Sequence, residues 1–258
     1  MIAEWDLTQT NLRRIRGRKY EVAMLPTSAI EAHNLHLPEG MDFLESFHVA
    51  RRACELAWPR CESVVCLPGI PYGVDCNLRD FPLSLHVSQD TLNAMIRDIL
   101  VSLKHFGIRK TILLNSHGGN DFTAFIRQVQ ADLDVHLFVC NWWTMGRDVE
   151  KDIFVDPGDH AGELETSVGL ALFPELIELE HAKDGAAAPF RLEALRKGWV
   201  RTSRDFGKLN DHCGVGDPRP GTAEKGRRFL DVVCPRIADF IVELAKTPID
   251  SKFPHAAP

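Results

Sequence analysis

Two patterns of apolar positions alternate along the first half of the chain. Short apolar runs at residues 20–25, 62–67, 110–114 and 135–140 read as buried strands. Between them the apolar residues recur every three or four positions. Phe43, Phe47, Ala50, Cys54 and Ala57 mark a helix over 42–58, and Phe122, Phe125, Val129 and Leu133 mark another over 121–133. A third is N-capped by Ser88, runs through Met95, Ile99 and Leu103, and stops at Gly107. Strands alternating with helices of this length predict an α/β fold with a mainly parallel sheet sandwiched by helices. Pro26 is expected to end the first strand.

The second half is less regular. Residues 163–172 read as a helix, 184–189 as a small-residue loop, and 212–221 as a loop because glycine and proline crowd it. A helical period returns over 222–245, where Pro235 is expected to kink or break the helix. No composition shift marks a linker and no repeat appears, so residues 1–258 read as one domain. An N-terminal extension of about 1–18 and an extended C-terminal arm of about 247–258 flank it.

Composition narrows the function classes. A 258-residue chain with 45% hydrophobic residues has enough apolar surface for a large core, which excludes disorder. A net charge of −6 leaves no positive field to hold a phosphate backbone, so nucleic acid is not an expected partner. No apolar run approaches the ~20 residues that cross a bilayer, so no membrane partner is expected either. Residues 1–18 carry Glu4 and Asp6 and no apolar stretch, unlike a signal peptide. Seven cysteines at irregular spacing read as reduced thiols and a cytoplasmic protein.

The chemistry concentrates in three clusters. Glu31 and His33 follow the first strand, two residues apart, so in an extended segment both point the same way; with Asp42 they could hold one or two metal ions. A salt bridge on a surface loop is the alternative. Asn115-Ser116-His117-Gly118-Gly119-Asn120 follows the third strand and so belongs to the same sheet edge. A glycine pair there could cradle a phosphate, but the lysine of a phosphate loop and the three-glycine fingerprint of a dinucleotide turn are missing, and an imidazole stands instead. A nucleotide-binding protein is therefore the weakest reading. The third cluster, from Asp159 through His160, Glu163 and Glu165, opens a helix. The helix dipole favours carboxylates there but does not explain His160, which beside them suits a general base or proton shuttle. Three histidine clusters, two of them with carboxylates, together suggest a dinuclear metal hydrolase. The Trp142-Trp143 pair reads as core or subunit interface before pocket wall.

Residues 25–38 through Asp42, the Asn115 to Asn120 motif, His160-Ala161-Gly162-Glu163-Leu164-Glu165-Thr166-Ser167 and Gly214-Val215-Gly216-Asp217-Pro218 resemble, in that order, the creatininase (creatinine amidohydrolase) family. The resemblance implies a three-layer α/β/α sandwich, commonly a homohexamer, with two divalent ions such as zinc, manganese or iron. It further implies a hydrolase that uses a metal-activated water to cleave a C–N bond of a small cyclic amide or related molecule. Relatives acting on an oxidised inositol, and a non-catalytic ligand-binding member of the fold, are the alternatives. Carried over by position, Glu31 and His117 bind one metal, His33 the other, and Asp42 bridges, while His160 and Glu165 handle protons and substrate.

Some positions depart from the pattern. Creatininase proper has Tyr-Glu where Gly118-Gly119 stand, and that Glu is a ligand of the second metal. Glu163 is the nearest replacement carboxylate in the sequence. His86 stands where many members carry a serine, and with Gly118 and Gly119 it is expected to shape the substrate pocket.

Overall fold

The computed structural model describes residues 2–256. Four parallel strands form the sheet: β1 (Val22–Thr27), β2 (Val64–Cys66), β3 (Lys110–Asn115) and β4 (His136–Asn141), in the order β2-β1-β3-β4. The helices are α1 (Leu12–Ile15), α2 (Met41–Cys61), α3 (Gln89–His105), α4 (Thr123–Leu133), α5 (Glu150–Ile153), α6 (Glu163–Leu172), α7 (Glu193–Arg196) and α8 (Ala223–Lys246). Among the described residues, no helix is long and apolar enough to cross a membrane.

β1 is buried along its whole length, and its side chains alternate between two cores. Val22 and Met24 face a layer built from α2, α6 and α8, with Val49, Ala53, Val168, Phe229 and Ile237. Ala23 and Leu25 face α3 and α4, with Leu92, Ile96, Phe125 and Val129. A strand covered on both faces has no polar positions to alternate, hence the continuous apolar run. The result is the expected three-layer α/β/α sandwich.

The structure refines four expectations. β1 runs through Pro26 to Thr27, because the proline nitrogen faces the side on which β2 has already ended; beyond it the Pro26 carbonyl accepts the Ile70 N–H at 3.0 Å. α8 continues through Pro235 as one element of 24 residues. Its apolar face, Phe229 and Val233 before the proline and Ile237 and Ile241 after it, packs into one core, and that burial outweighs the ~3 kcal/mol an interior proline costs. The N-terminal extension packs onto the domain: Trp5 is buried, its carbonyl accepts the Cys66 N–H at 2.6 Å, and Asp6 takes the Arg51 guanidinium at 2.7 Å. The C-terminal arm turns back so that Phe253 packs edge-on against Phe138 and His136; Ala257 and Pro258 lie outside the described residues.

Candidate metal centre

In a parallel sheet the carboxyl ends of all strands open on one edge, and the candidate residues collect there. The register pairs Thr27 with Asn115 and Asn115 with Asn141. Asparagine side chains then tie the loops down. Asn115 donates through Nδ2 to the His117 carbonyl (2.7 Å) and to Asn141 Oδ1 (2.9 Å), and its Oδ1 receives Asn120 Nδ2 at 3.1 Å. Asn120 Oδ1 in turn accepts the Val74 N–H at 3.1 Å. The two asparagines of the motif are thus scaffold for the imidazole between them.

Glu31, His33, Asp42, His117, His160 and Glu165 meet at this edge. Three groups of donor atoms lie within 4.8 Å of one another: Glu31 with Asp42 and His117, His33 with Asp42 and Glu165, and Glu31 with His33 and His160. His117 Nδ1 is 3.0 Å from Glu31 Oε1 and 3.1 Å from Asp42 Oδ2, and His33 Nε2 is 3.2 Å from Asp42 Oδ1. Of the atoms in these approaches, His33 Nε2 and Asp42 Oδ2 are buried without a hydrogen-bond partner, as is the other oxygen of Glu31, Oε2. Each imidazole is held by its other nitrogen. His33 Nδ1 donates to the Glu31 carbonyl (2.9 Å), His160 Nε2 to the Ala32 carbonyl (2.8 Å), and His117 Nε2 to the Val74 carbonyl (3.2 Å), with Asp75 Oδ1 3.0 Å from that same nitrogen. That leaves His33 Nε2, His117 Nδ1 and His160 Nδ1 as bare lone pairs facing the cluster, the arrangement that orients metal-binding histidines.

The electrostatics of the bare cluster are strained in the same sense. Burial pushes the Glu31 carboxyl up to about 8, with His117 pulling the other way, and desolvation pushes Glu165 up to about 7. Burial works against charge on His33 and His117, yet the surrounding carboxylates hold both well above the ordinary histidine range. Burial also works to raise Asp42, but His117 and His33 hold it below the usual carboxylate range. Burial lowers His160 to about 3, with His33 adding to the effect, so its ring is neutral. Clustered carboxylates, imidazole nitrogens and orphaned buried oxygens are a donor set that fits divalent cations, which would take the place of the protons that His33 and His117 otherwise favour.

Three predicted residues sit differently from expectation. Glu163 is fully buried but turned away: one carboxylate oxygen accepts the Val155 and Asp156 N–H groups at 2.8 and 3.0 Å, and the other pairs with Lys225. At ~100° per residue, positions two apart on a helix point nearly oppositely, and it is Glu165 that faces the cluster, its carboxylate held by the Ala161 N–H. Hence Glu165, expected to handle protons and substrate, is the carboxylate of this helix that joins His33 and Asp42 in a group able to hold a metal ion. His86 is not on the wall of the cavity; its Nδ1 accepts the Asp75 N–H at 3.1 Å and braces that loop.

Above the cluster a cavity of about 560 Å³ is lined by Gly118, Gly119, Trp142, Trp143, Arg204 and Phe206 among others. Gly118 and Gly119 differ. A Cβ at Gly118 would meet nothing within 4 Å, whereas one at Gly119 would lie 2.3 Å from His117 Nε2 and 2.4 Å from the Val74 carbonyl. Gly118 leaves open volume as expected, but Gly119 exists because the His117 ring and Val74 fill its space. Trp142 belongs both to the core, against Phe229, and to the cavity wall. Sequence reasoning missed Asp75, which no spacing singles out, and Glu45. The latter had a signal: a carboxylate one turn after Asp42 on the buried face of α2.

Comparison with known proteins bears on this geometry. The chain matches the creatininase family, described as creatinine amidohydrolase, over residues 5–241. The chain belongs to the creatininase family. Creatinine amidohydrolase of Pseudomonas putida is 27% identical over 251 residues, covering 86% of this chain and 89% of that protein. A mycofactocin precursor peptide peptidase of Mycobacterium ulcerans is 28% identical, covering 80% of this chain and 79% of its own. A Bacteroides fragilis structure provisionally described as a creatinine amidohydrolase superposes with a TM-score of 0.89 at 35% identity, over 97% of this chain and 100% of that one. At 24% identity, creatininase structures described as a Zn-Zn type and as a Mn form share the fold, with TM-scores of 0.79 and 0.78; each covers 94% of this chain, and 98% and 99% of their own.

Proposed function

We propose that this member of the creatininase family is a hydrolase dependent on two divalent ions, acting on an amide-type bond of a small polar molecule that is not creatinine. The observation that carries it is the convergence of two ligand sets sharing Asp42: Glu31, Asp42 and His117, and His33, Asp42 and Glu165. Zinc or manganese forms of related structures support the class of ion, and iron would suit the same donors. When bound, such cations polarise a carbonyl and acidify water. The chain's own part is to orient and to move protons. His160, neutral and fixed through Nε2 on the Ala32 carbonyl, turns an unprotonated Nδ1 to the cluster, 3.8 Å from Glu31 Oε1, and its lowered basicity suits passing a proton on rather than keeping it. There it can take up a proton and pass it to a departing nitrogen. Trp143, Phe206 and Gly118 border the space left for the substrate.

The open volume at Gly118 supports a substrate bulkier than creatinine, and the mycobacterial relative brings a peptide-derived amide into range. The non-catalytic reading loses its motive, because Glu165 stands in for the carboxylate that Gly119 cannot supply. A homohexamer, as the family resemblance implies, is the assembly we infer. Turnover of creatinine, cyclic amides, formamides and oxidised inositols by zinc- and manganese-loaded protein tests the reading, with metal counted per subunit. We expect two ions and activity on a substrate other than creatinine. One ion or none, with no metal-dependent turnover, would refute it; efficient creatinine turnover would refute its substrate half.

A further inference from the structure

Glu45 is buried on α2, one turn beyond Asp42, and lines the cavity. Its Oε2 accepts the Ser116 hydroxyl at 3.3 Å, and Ser116 Oγ accepts the Trp142 indole N–H at 2.8 Å. Trp142 is itself locked in the core, so the relay fixes the carboxylate's orientation. The other oxygen, Oε1, has no partner at all. Nor does Glu45 belong to any of the three converging ligand groups, and no ion pair among the described residues involves it. Buried polar atoms are almost always satisfied, so an orphan oxygen on a residue that lines a cavity points to a group that arrives with a ligand.

Charge balance specifies that group. Glu31, Asp42, Glu165, Glu45 and Asp75 put five carboxylates around one edge, and two divalent ions offset four of those charges. Asp75 lies against the His117 imidazole, whereas Ser116 is the one side chain that hydrogen-bonds Glu45; burial and the nearby Glu165 and Asp42 carboxylates hold its carboxyl well above the usual range, and an arriving cation would favour its charged form. An apolar residue would suit the helix face shared with Val49 and Ala53, and an unpaired buried carboxylate is unfavourable without a counter-charge. Resting on the metal-hydrolase reading above, we propose that Glu45 is a specificity-determining residue whose free oxygen anchors an amino or amidino group carried by the substrate beside the hydrolysed carbonyl.

The test uses three hydroxamates, which chelate metal ions alike but differ at the far end: β-alanine hydroxamate (amino), 3-hydroxypropionohydroxamate (hydroxyl) and butyrohydroxamate (methyl). Their affinities for the zinc-loaded full chain are measured by calorimetry, with zinc counted in wild type, Glu45→Gln and Glu45→Leu. Wild type should bind the amino probe about tenfold or more tighter than the methyl probe, as a charge-assisted hydrogen bond provides. Glu45→Gln should lose most of that preference and Glu45→Leu all of it, each keeping two zinc ions. Equal binding of the three probes by wild type, a hydroxyl probe preferred to the amino one, or an amino preference surviving in Glu45→Leu would overturn the anchor. Loss of a zinc ion in both variants would overturn it too, by making Glu45 a ligand. If no probe binds wild type in a zinc-dependent way, the metal-hydrolase reading fails first and the anchor with it, a result recognisable because all three probes fail together.

Discussion

The two halves of the metal centre are built by different means. Glu31, His33 and His117 hang from the ends of β1 and β3, strands buried on both faces and locked in register. His160 instead enters from the loop before α6 and Glu165 from the first turn of that helix, which no strand of the sheet supports. A short antiparallel bridge to the glycine-rich segment holds that loop: Val215 N–H donates to the His160 carbonyl at 2.8 Å, and the Val215 carbonyl accepts the His160 and Asp159 N–H groups. Ala161 then turns at φ 51°, a left-handed conformation that aims its N–H at Glu165. One half borrows its precision from the sheet, and the other is positioned by loop hydrogen bonds. Asp42, at the start of α2, touches both.

Breaking the link between the halves should have the largest effect. Asp42→Asn weakens both proposed ion sites at once. Metal analysis should find well below one ion per subunit, and turnover should fall roughly a thousandfold, since the cations contribute several kcal/mol to such reactions. His117→Ala, confined to the sheet-built half, should lose one ion and keep part of the other. If Asp42→Asn instead retains an ion that His117→Ala loses, the shared-carboxylate arrangement is wrong.

The loop-built half is where sequence and structure part, and Glu163 and Glu165 show why. Both are acidic, both lie in the first turn of α6, and the helix dipole favours either one. Choosing between them requires the positions of Lys225 on α8 and of the Val155 and Asp156 amides, all brought in by the tertiary fold. By contrast Glu31, His33, Asp42 and His117 were legible, because a strand end delivers its loop to a known edge and spacing of two fixes a common direction. The same contrast holds for elements. The strands and α2, α3 and α4 follow from periodicity, while Pro235 does not break its helix, because a proline speaks of local propensity and not of the core its helix faces. Glu45 and Asp75 went unnoticed because a lone carboxylate in an apolar setting carries no pattern.

The distinction between the two glutamates sharpens into opposite phenotypes. Glu163→Gln should keep two ions per subunit but lower stability by roughly 2 kcal/mol, because the buried carboxylate loses its charge-assisted contact with the half-buried Lys225. Glu165→Gln should unfold near the wild-type midpoint and lose the second ion. Urea denaturation and metal analysis of both variants check this. A metal-depleted but fully stable Glu163→Gln would return the ligand role to Glu163.

The smallest effects discriminate within the sheet-built half, at the two adjacent glycines. Neither adopts a positive φ, so any penalty for alanine there is one of space and not of backbone. At Gly119 a methyl would overlap the His117 ring and the Val74 carbonyl, and since that carbonyl belongs to the backbone, the imidazole must yield. Gly119→Ala should therefore cost about 1–3 kcal/mol of stability. Displacing a supported ligand should also weaken metal binding about ten- to a hundredfold. At Gly118 the added methyl meets nothing and points into the cavity, so Gly118→Ala should change stability by no more than about 0.5 kcal/mol and leave metal affinity intact. Its effect belongs to substrate alone, as a rise in KM with kcat unchanged, the mark of lost uniform binding. Thermal melts and metal titration of the two single variants decide the matter: equal penalties at both positions would mean that the His117 ring has room to move, and that the sheet-built half is less rigid than its register implies.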